Sequence, residues 1–200
     1  MKSTCSLVAS RLPLALMALS VLPALAHAAP RVWSAGPTDL TITKASNADD
    51  TLAANQDRIT SNVWLARGSS QGLFNIAGES FFSHGVSPAQ TAWAFSGLAS
   101  NPTFAYGAGA SQYSNLTFTT WETALGGATS LQGNITTHPG VLHLTNAADD
   151  IYLDINFTQW GGSASGGSFT YQRAAAPVPE PASLGLLSLA ALPLLTRRRR

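Results

Sequence analysis

From Ile151 to Thr158 the chain alternates without a break, with Ile151, Leu153, Ile155 and Phe157 on one side of an extended backbone and Tyr152, Asp154, Asn156 and Thr158 on the other. Successive side chains of a strand point to opposite faces, so this period of two predicts a strand with one buried face. After Trp160 comes Gly161-Gly162-Ser163-Ala164-Ser165-Gly166-Gly167, and then a second alternating run over 168–173 that carries Phe169 and Tyr171. Glycine at that density permits positive φ and excludes a long helix, so the two runs predict a hairpin with a flexible loop. Shorter runs bounded by Gly, Asn, Pro and Ser add strand candidates at 39–44, 62–67, 116–121 and 141–145. One segment resists the pattern. Ser87-Pro88-Ala89-Gln90 has the form of a capping box with proline at the first helical position, so 88–98 reads as a short helix, while Trp93 and Phe95 alternate like a strand. The expected fold class is all-β, a two-sheet β-sandwich, with a barrel as the alternative.

The two ends differ from this middle. Lys2 and Arg11 precede an apolar stretch over 12–25, and Ala26-His27-Ala28 fits the small-residue rule for cleavage. Residues 1–28 therefore read as a secretory signal peptide, passed through the Sec translocon and cut by signal peptidase before Ala29. Cys5 lies ahead of the apolar run, not behind it, which excludes a lipoprotein signal. At the other end, Pro177, Pro179 and Pro181 hold the backbone extended, because proline fixes φ, lacks an amide donor and restricts its predecessor. Residues 182–196 would span about 22 Å as a helix, short of the roughly 20 residues that a stable membrane span needs. Such a short transmembrane helix suits a temporary anchor. Arg197, Arg198, Arg199 and Arg200 would stay cytoplasmic and leave the preceding domain outside. The chain thus divides into 1–28, a β-rich ectodomain over 29–176, and a tail over 177–200.

The tail, from Val178-Pro179-Glu180-Pro181 through the apolar segment to the arginine cluster, resembles the PEP-CTERM sorting signal in all three parts and in their order. The resemblance implies a substrate of exosortase, an inner-membrane cysteine transpeptidase or protease of Gram-negative bacteria that make exopolysaccharide. Val178, Pro179, Glu180 and Pro181 then form the sorting motif, and the protein passes from a transient inner-membrane anchor to the cell surface or the extracellular biofilm matrix. A second run, from Trp64 through Ser87-Pro88, Trp93 and Trp121 to Asp149–Asp154 and Trp160-Gly161-Gly162, is similar to a recurring module of secreted bacterial proteins with no assigned activity.

Six of the eleven basic residues belong to the sorting segments. Over 29–177, five basic residues face nine acidic ones, a net charge of −4. An acidic domain offers no electrostatic footprint for nucleic acid. Cys5 is the only cysteine, so the exported domain must hold together by packing alone. Glu79, Glu122, Asp150 and Asp154 are the candidates for a glycosidase pair, yet no spacing among them selects two carboxylates, and as strand residues they read as solvated. His84, His138 and His143 lack metalloprotease spacing, and His143 reads as a half-buried structural histidine. The expectation is a non-enzymatic surface or matrix protein.

Three weaker signals define the alternatives. Asn47-Ala48-Asp49-Asp50 and Asn146-Ala147-Ala148-Asp149-Asp150 resemble each other, and Asp49, Asp50, Asp149 and Asp150 could offer oxygen ligands to Ca2+ in a calcium-stabilised adhesin. The plainer reading is turn formers ahead of a strand. Among the five tryptophans, Trp160 beside the glycine-rich loop is the one expected to be exposed and to stack on a sugar, as in a carbohydrate-binding module or a weak polysaccharide-active enzyme. Asn156 is the one N-x-T asparagine with an acidic residue two places upstream and is the candidate glycan acceptor, although the polar face of a strand explains it equally.

Overall fold

The 151–158 alternation becomes part of the longest strand in the computed structural model, which describes residues 29–36, 38–146 and 148–177. The signal peptide expected over 1–28, with Ala26 and Ala28, and the sorting elements Val178, Pro179, Glu180, Pro181 and Arg197 to Arg200 lie outside the described residues. In chain order the strands are β1 Arg31–Trp33, β2 Leu40–Lys44, β3 Asp57–Arg58, β4 Trp64–Ala66, β5 Phe74–Asn75 and β6 Thr91–Phe95. Two one-turn helices follow, α1 Trp121–Ala124 and α2 Leu131–Asn134, and then β7 Gly140–Leu144, β8 Ile151–Trp160 and β9 Phe169–Arg173. Among the described residues no helix is long and apolar enough to cross a membrane.

The protein is mostly β, with two sheets. The larger runs β2-β9-β8-β7-β6 with antiparallel pairing throughout, and the smaller is β3-β4-β5. The long β8 serves three partners: β7 along one edge, and on the other edge β9 beside residues 155–160 and β1, in parallel, beside Ile151 to Leu153. The larger sheet runs from β2 to β6 as an open sheet. One core lies between the two sheets: Val63, Leu65 and Phe74 from the small sheet meet Trp93, Phe95, Phe157, Phe169 and Tyr171 from the large one. A smaller cluster of Phe104, Ala110 and Val141, with Tyr152 and Phe118 against it, covers part of the opposite face of the large sheet.

That cover corrects the reading of Asp154 as a solvated carboxylate. Asp154 is fully buried, and its two oxygens accept the backbone N–H groups of Ala110 and Ala35 at 2.9 and 3.0 Å. Burial pushes its pKa above the ordinary carboxylate value, opposed by these hydrogen bonds.

The ambiguous 88–98 segment is a turn followed by a strand. Gln90 adopts φ 64°, which breaks a helix, and the strand parity of Trp93 and Phe95 then lays both rings on the core, stacked 6.1 Å apart. Ser87 does cap a helix, but a distant one: its Oγ accepts the N–H of Trp121, 34 residues on. The strand expected over 116–121 shrinks to a single bridge between Thr119 and Trp93. Its physical competitor is Asn101, whose side-chain amide satisfies both backbone groups of Thr117 at 2.7 and 3.1 Å, after which the chain turns into α1.

Lys44 ends β2 with its amine buried and without a hydrogen-bond partner among the described residues. Burial lowers its basicity, the charge of Asp50 partly restores it, and that of Arg67 lowers it further. An unbonded buried polar group costs about 1–3 kcal/mol, so Lys44→Met is expected to stabilise the fold by that amount near neutral pH. A folded-state value depressed below 10.5 means that the unfolded chain holds more protons in the alkaline window below that value. Wild-type stability therefore rises with pH there, and the variant's advantage shrinks. Urea unfolding at about pH 7 and about pH 10 checks both statements. A destabilised Lys44→Met would show that the amine has a partner in solution.

Candidate functional site

Through β4 and the residue on either side of it, Val63, Leu65 and Arg67 share one parity, and all three are buried, Arg67 to 1% exposure. A charge on an inward-facing position must find donors and acceptors where a leucine would have sufficed. Arg67 does so by donating Nε to the carbonyl of Gln71 at 2.8 Å and Nη1 to the carbonyl of Ser168 at 2.9 Å. Its guanidinium carbon lies 3.6 Å from the centre of the Trp160 ring, a close cation–π contact. Among the described residues no carboxylate forms an ion pair with it, and its Nη2 makes no hydrogen bond. Burial brings its basicity down from the ordinary value to about 10, which leaves it charged at neutral pH.

Trp160 is half-buried, not the exposed platform expected from its place beside the glycine loop. The reason is a β-bulge. Phe157 pairs with Tyr171 and Gln159 with Thr170, so Thr158 is the extra residue and the parity of β8 reverses after it. Trp160 thereby joins the core face, 5.7 Å from Phe157 and 5.8 Å from Trp121, with Arg67 over its ring.

Arg67 and Trp160 form one wall of a cleft of about 410 Å3, within the roughly 300–1,000 Å3 of small-molecule sites. The lining also includes Glu122 from α1, whose Oε1 lies 2.8 Å from Nδ1 of His84 and whose Oε2 accepts the N–H of Gly85 at 2.7 Å. Phe82 and Leu131 supply apolar surface, and Ser70, Gln71, Gln132 and Ser163 supply neutral donors and acceptors. The carboxylates otherwise serve different partners. Glu79 accepts the N–H groups of Asn75 and Ala89, Asp150 bonds His143, and Asp154 is tied as described. His143 is half-buried and stacks on Tyr152 at 3.9 Å.

The aspartates of the first Asn/Asp stretch bond their own neighbours, whereas those of the second also reach distant segments of the chain. Asp49 accepts the hydroxyl and N–H of Thr51 at 2.7 and 2.9 Å, which holds its pKa below the ordinary carboxylate value. The backbone carbonyl of Asp50 accepts the amide of Gln56. Asp149 accepts Thr60 and Asn62 side chains and faces Arg31 at 3.7 Å, while Asp150 lies 3.0 Å from His143. Among the described residues no three His, Cys, Asp or Glu side chains come together as metal ligands. Asn156 sits half-buried on β8 opposite Gln172, and Ala29 is exposed at the start of the described chain.

Sequence reasoning named Glu122 as one of four candidate carboxylates and weighed His84 only as a metal ligand; it missed their pairing, and it missed Arg67 and Gln132. For Arg67 a signal existed: it continues the inward parity of Val63 and Leu65 in a domain with only five basic residues. For the pairing there was none, since His84 comes from a loop and Glu122 from α1, 38 residues apart. Comparison with protein-family models, with curated proteins and with solved structures finds no match to this chain.

Proposed function

We propose that the chain is an exported, exosortase-sorted protein of the cell surface or extracellular matrix, non-enzymatic and associated with exopolysaccharide. In this reading the Sec translocon and signal peptidase release it before Ala29, the tail holds it briefly in the inner membrane, and exosortase acts at Val178-Pro179-Glu180-Pro181. We read the two sheets as a small sandwich that forms the ectodomain. The observation that carries the proposal is the ordered Pro-Glu-Pro element, apolar segment and arginine cluster over 178–200.

The fold supports it in two ways. Ala174, whose N–H donates to the carbonyl of Asp154, is the last buried residue among those described, and Ala176 and Pro177 are exposed, so trimming beyond Pro177 removes none of the described core. Arg31, Val32 and Trp33 line one recess together with Ala176 and Pro177, so the chain enters and leaves the domain side by side. A domain with adjacent ends can hang from a membrane by either one.

The test is the intact mass of the protein recovered from inner membrane, surface and medium of its native cells. A species that starts at Ala29 and ends near Pro179 to Pro181 is expected; a full-length tail found only in the inner membrane would refute the proposal. Changing Glu180 and Pro181 to alanine is expected to strand the protein in the inner membrane. Its unfolding free energy should stay within about 0.5 kcal/mol of wild type, as for surface changes outside a core.

A further inference from the structure

We propose that the cleft lined by Arg67, Trp160, Glu122 and His84 binds a carboxylated saccharide, a uronic-acid sugar. Burying a guanidinium without a counter-charge is costly, because the lost hydration is repaid only in part by neutral acceptors. Arg67 has two carbonyl acceptors and a third nitrogen left without a bond among the described residues, at the wall of an open cleft. An anion placed there supplies the missing partner.

The rest of the lining narrows the anion. Arg67 is the one permanent cation among the described lining residues, and Glu122 lines the same cleft in a domain of net charge −4. That field tolerates a single negative charge and opposes a phosphate or polyanion, which seeks several cations. Gln71, Gln132 and Ser163 can each donate and accept, as hydroxyl groups require, and Glu122 accepts from a hydroxyl. Phe82 and Leu131 suit the C–H face of a sugar ring. One carboxylate on a polyhydroxylated ring satisfies every part of this lining.

The inference adds a ligand to the matrix reading and rests on it only for the ligand's extracellular source. The experiment is calorimetric titration of the full chain in detergent with a galacturonate trisaccharide, its neutral galactose counterpart and inorganic phosphate. Saturable binding of the uronate, at least about tenfold tighter than either comparison, is expected from one charge-assisted hydrogen bond in a desolvated site. Arg67→Lys, which keeps the charge and loses the fork, should weaken it. Because Arg67 also holds the fold, the exposed Gln132→Glu is the second variant; it should weaken uronate binding several-fold at an unchanged unfolding midpoint. No saturable uronate binding, equal binding of the neutral sugar or phosphate, or an unaffected Gln132→Glu would each overturn the assignment. A correctly trimmed protein that binds no uronate sinks this inference alone, whereas an untrimmed one that binds sinks only the sorting proposal.

Discussion

Asp57→Ala is expected to lower stability by about 3–5 kcal/mol, enough to remove much of the about 5–15 kcal/mol that holds a domain together. Asp57 sits on β3 of the small sheet, 2% exposed, and both its oxygens receive the Arg173 guanidinium of β9 at 2.6 and 2.7 Å. The hydroxyl of Tyr171 donates to the same carboxylate at 2.8 Å. The group therefore ties the two sheets across the core. Burial works against the charge on Arg173, but the hydrogen bond and charge of Asp57 outweigh it and hold its basicity above the ordinary value. Burial, with the Asp57 charge, pushes the Tyr171 hydroxyl well up. Removing the carboxylate leaves an uncompensated cation and an unbonded hydroxyl in the core. At about 2–4 °C per kcal/mol for a domain of this size, the midpoint should fall by roughly 6–20 °C in a circular-dichroism melt. The double variant Asp57→Leu with Arg173→Met should recover most of the loss, because a buried pair contributes little over an apolar replacement. A loss under about 1 kcal/mol would mean that the pair is hydrated.

Trp121→Ala should cost about 3–5 kcal/mol by leaving a cavity where the rings converge. Trp121 is fully buried, and its ring meets Trp93 at 4.6 Å, Phe157 at 5.7 Å and Trp160 at 5.8 Å. It also starts α1, and the next residue is Glu122 of the cleft, so the damage should reach the site as well. Its indole Nε1 is buried without an acceptor among the described residues. Trp121→Phe removes that unsatisfied donor and keeps most of the ring, so its loss should be well below that of the alanine variant. Urea unfolding of both variants, with tryptophan emission as the probe, decides it. Equal losses would show that the indole nitrogen is satisfied in solution.

These two predictions concern features of different legibility. The parity of Phe169, Tyr171 and Arg173 was visible in the chain, and so was the inward place of Arg67 behind Leu65; an alternating pattern carries a charge inward as surely as a leucine. The charged partner was not visible, because Asp57 lies 116 residues from Arg173 on a two-residue strand too short to show a period. The same shortness hid β5, and β1 gave no signal because a three-residue strand is recruited by β8 alone.

Periodicity and turn chemistry were enough for the β class, for the β8–β9 hairpin and for the strands within 39–44, 62–67 and 141–145, because each rests on neighbours a few residues apart. The proposed signals at the two ends likewise rest on covalent order alone. Long-range pairing decided the rest. Asn101 converted an expected strand into a single bridge, the bulge at Thr158 turned Trp160 from a presumed surface ring into a cleft wall, and the cover around Ala110 buried Asp154. Each outcome depends on a partner brought close only by folding, and the energy of such a contact appears in no local stretch of the chain.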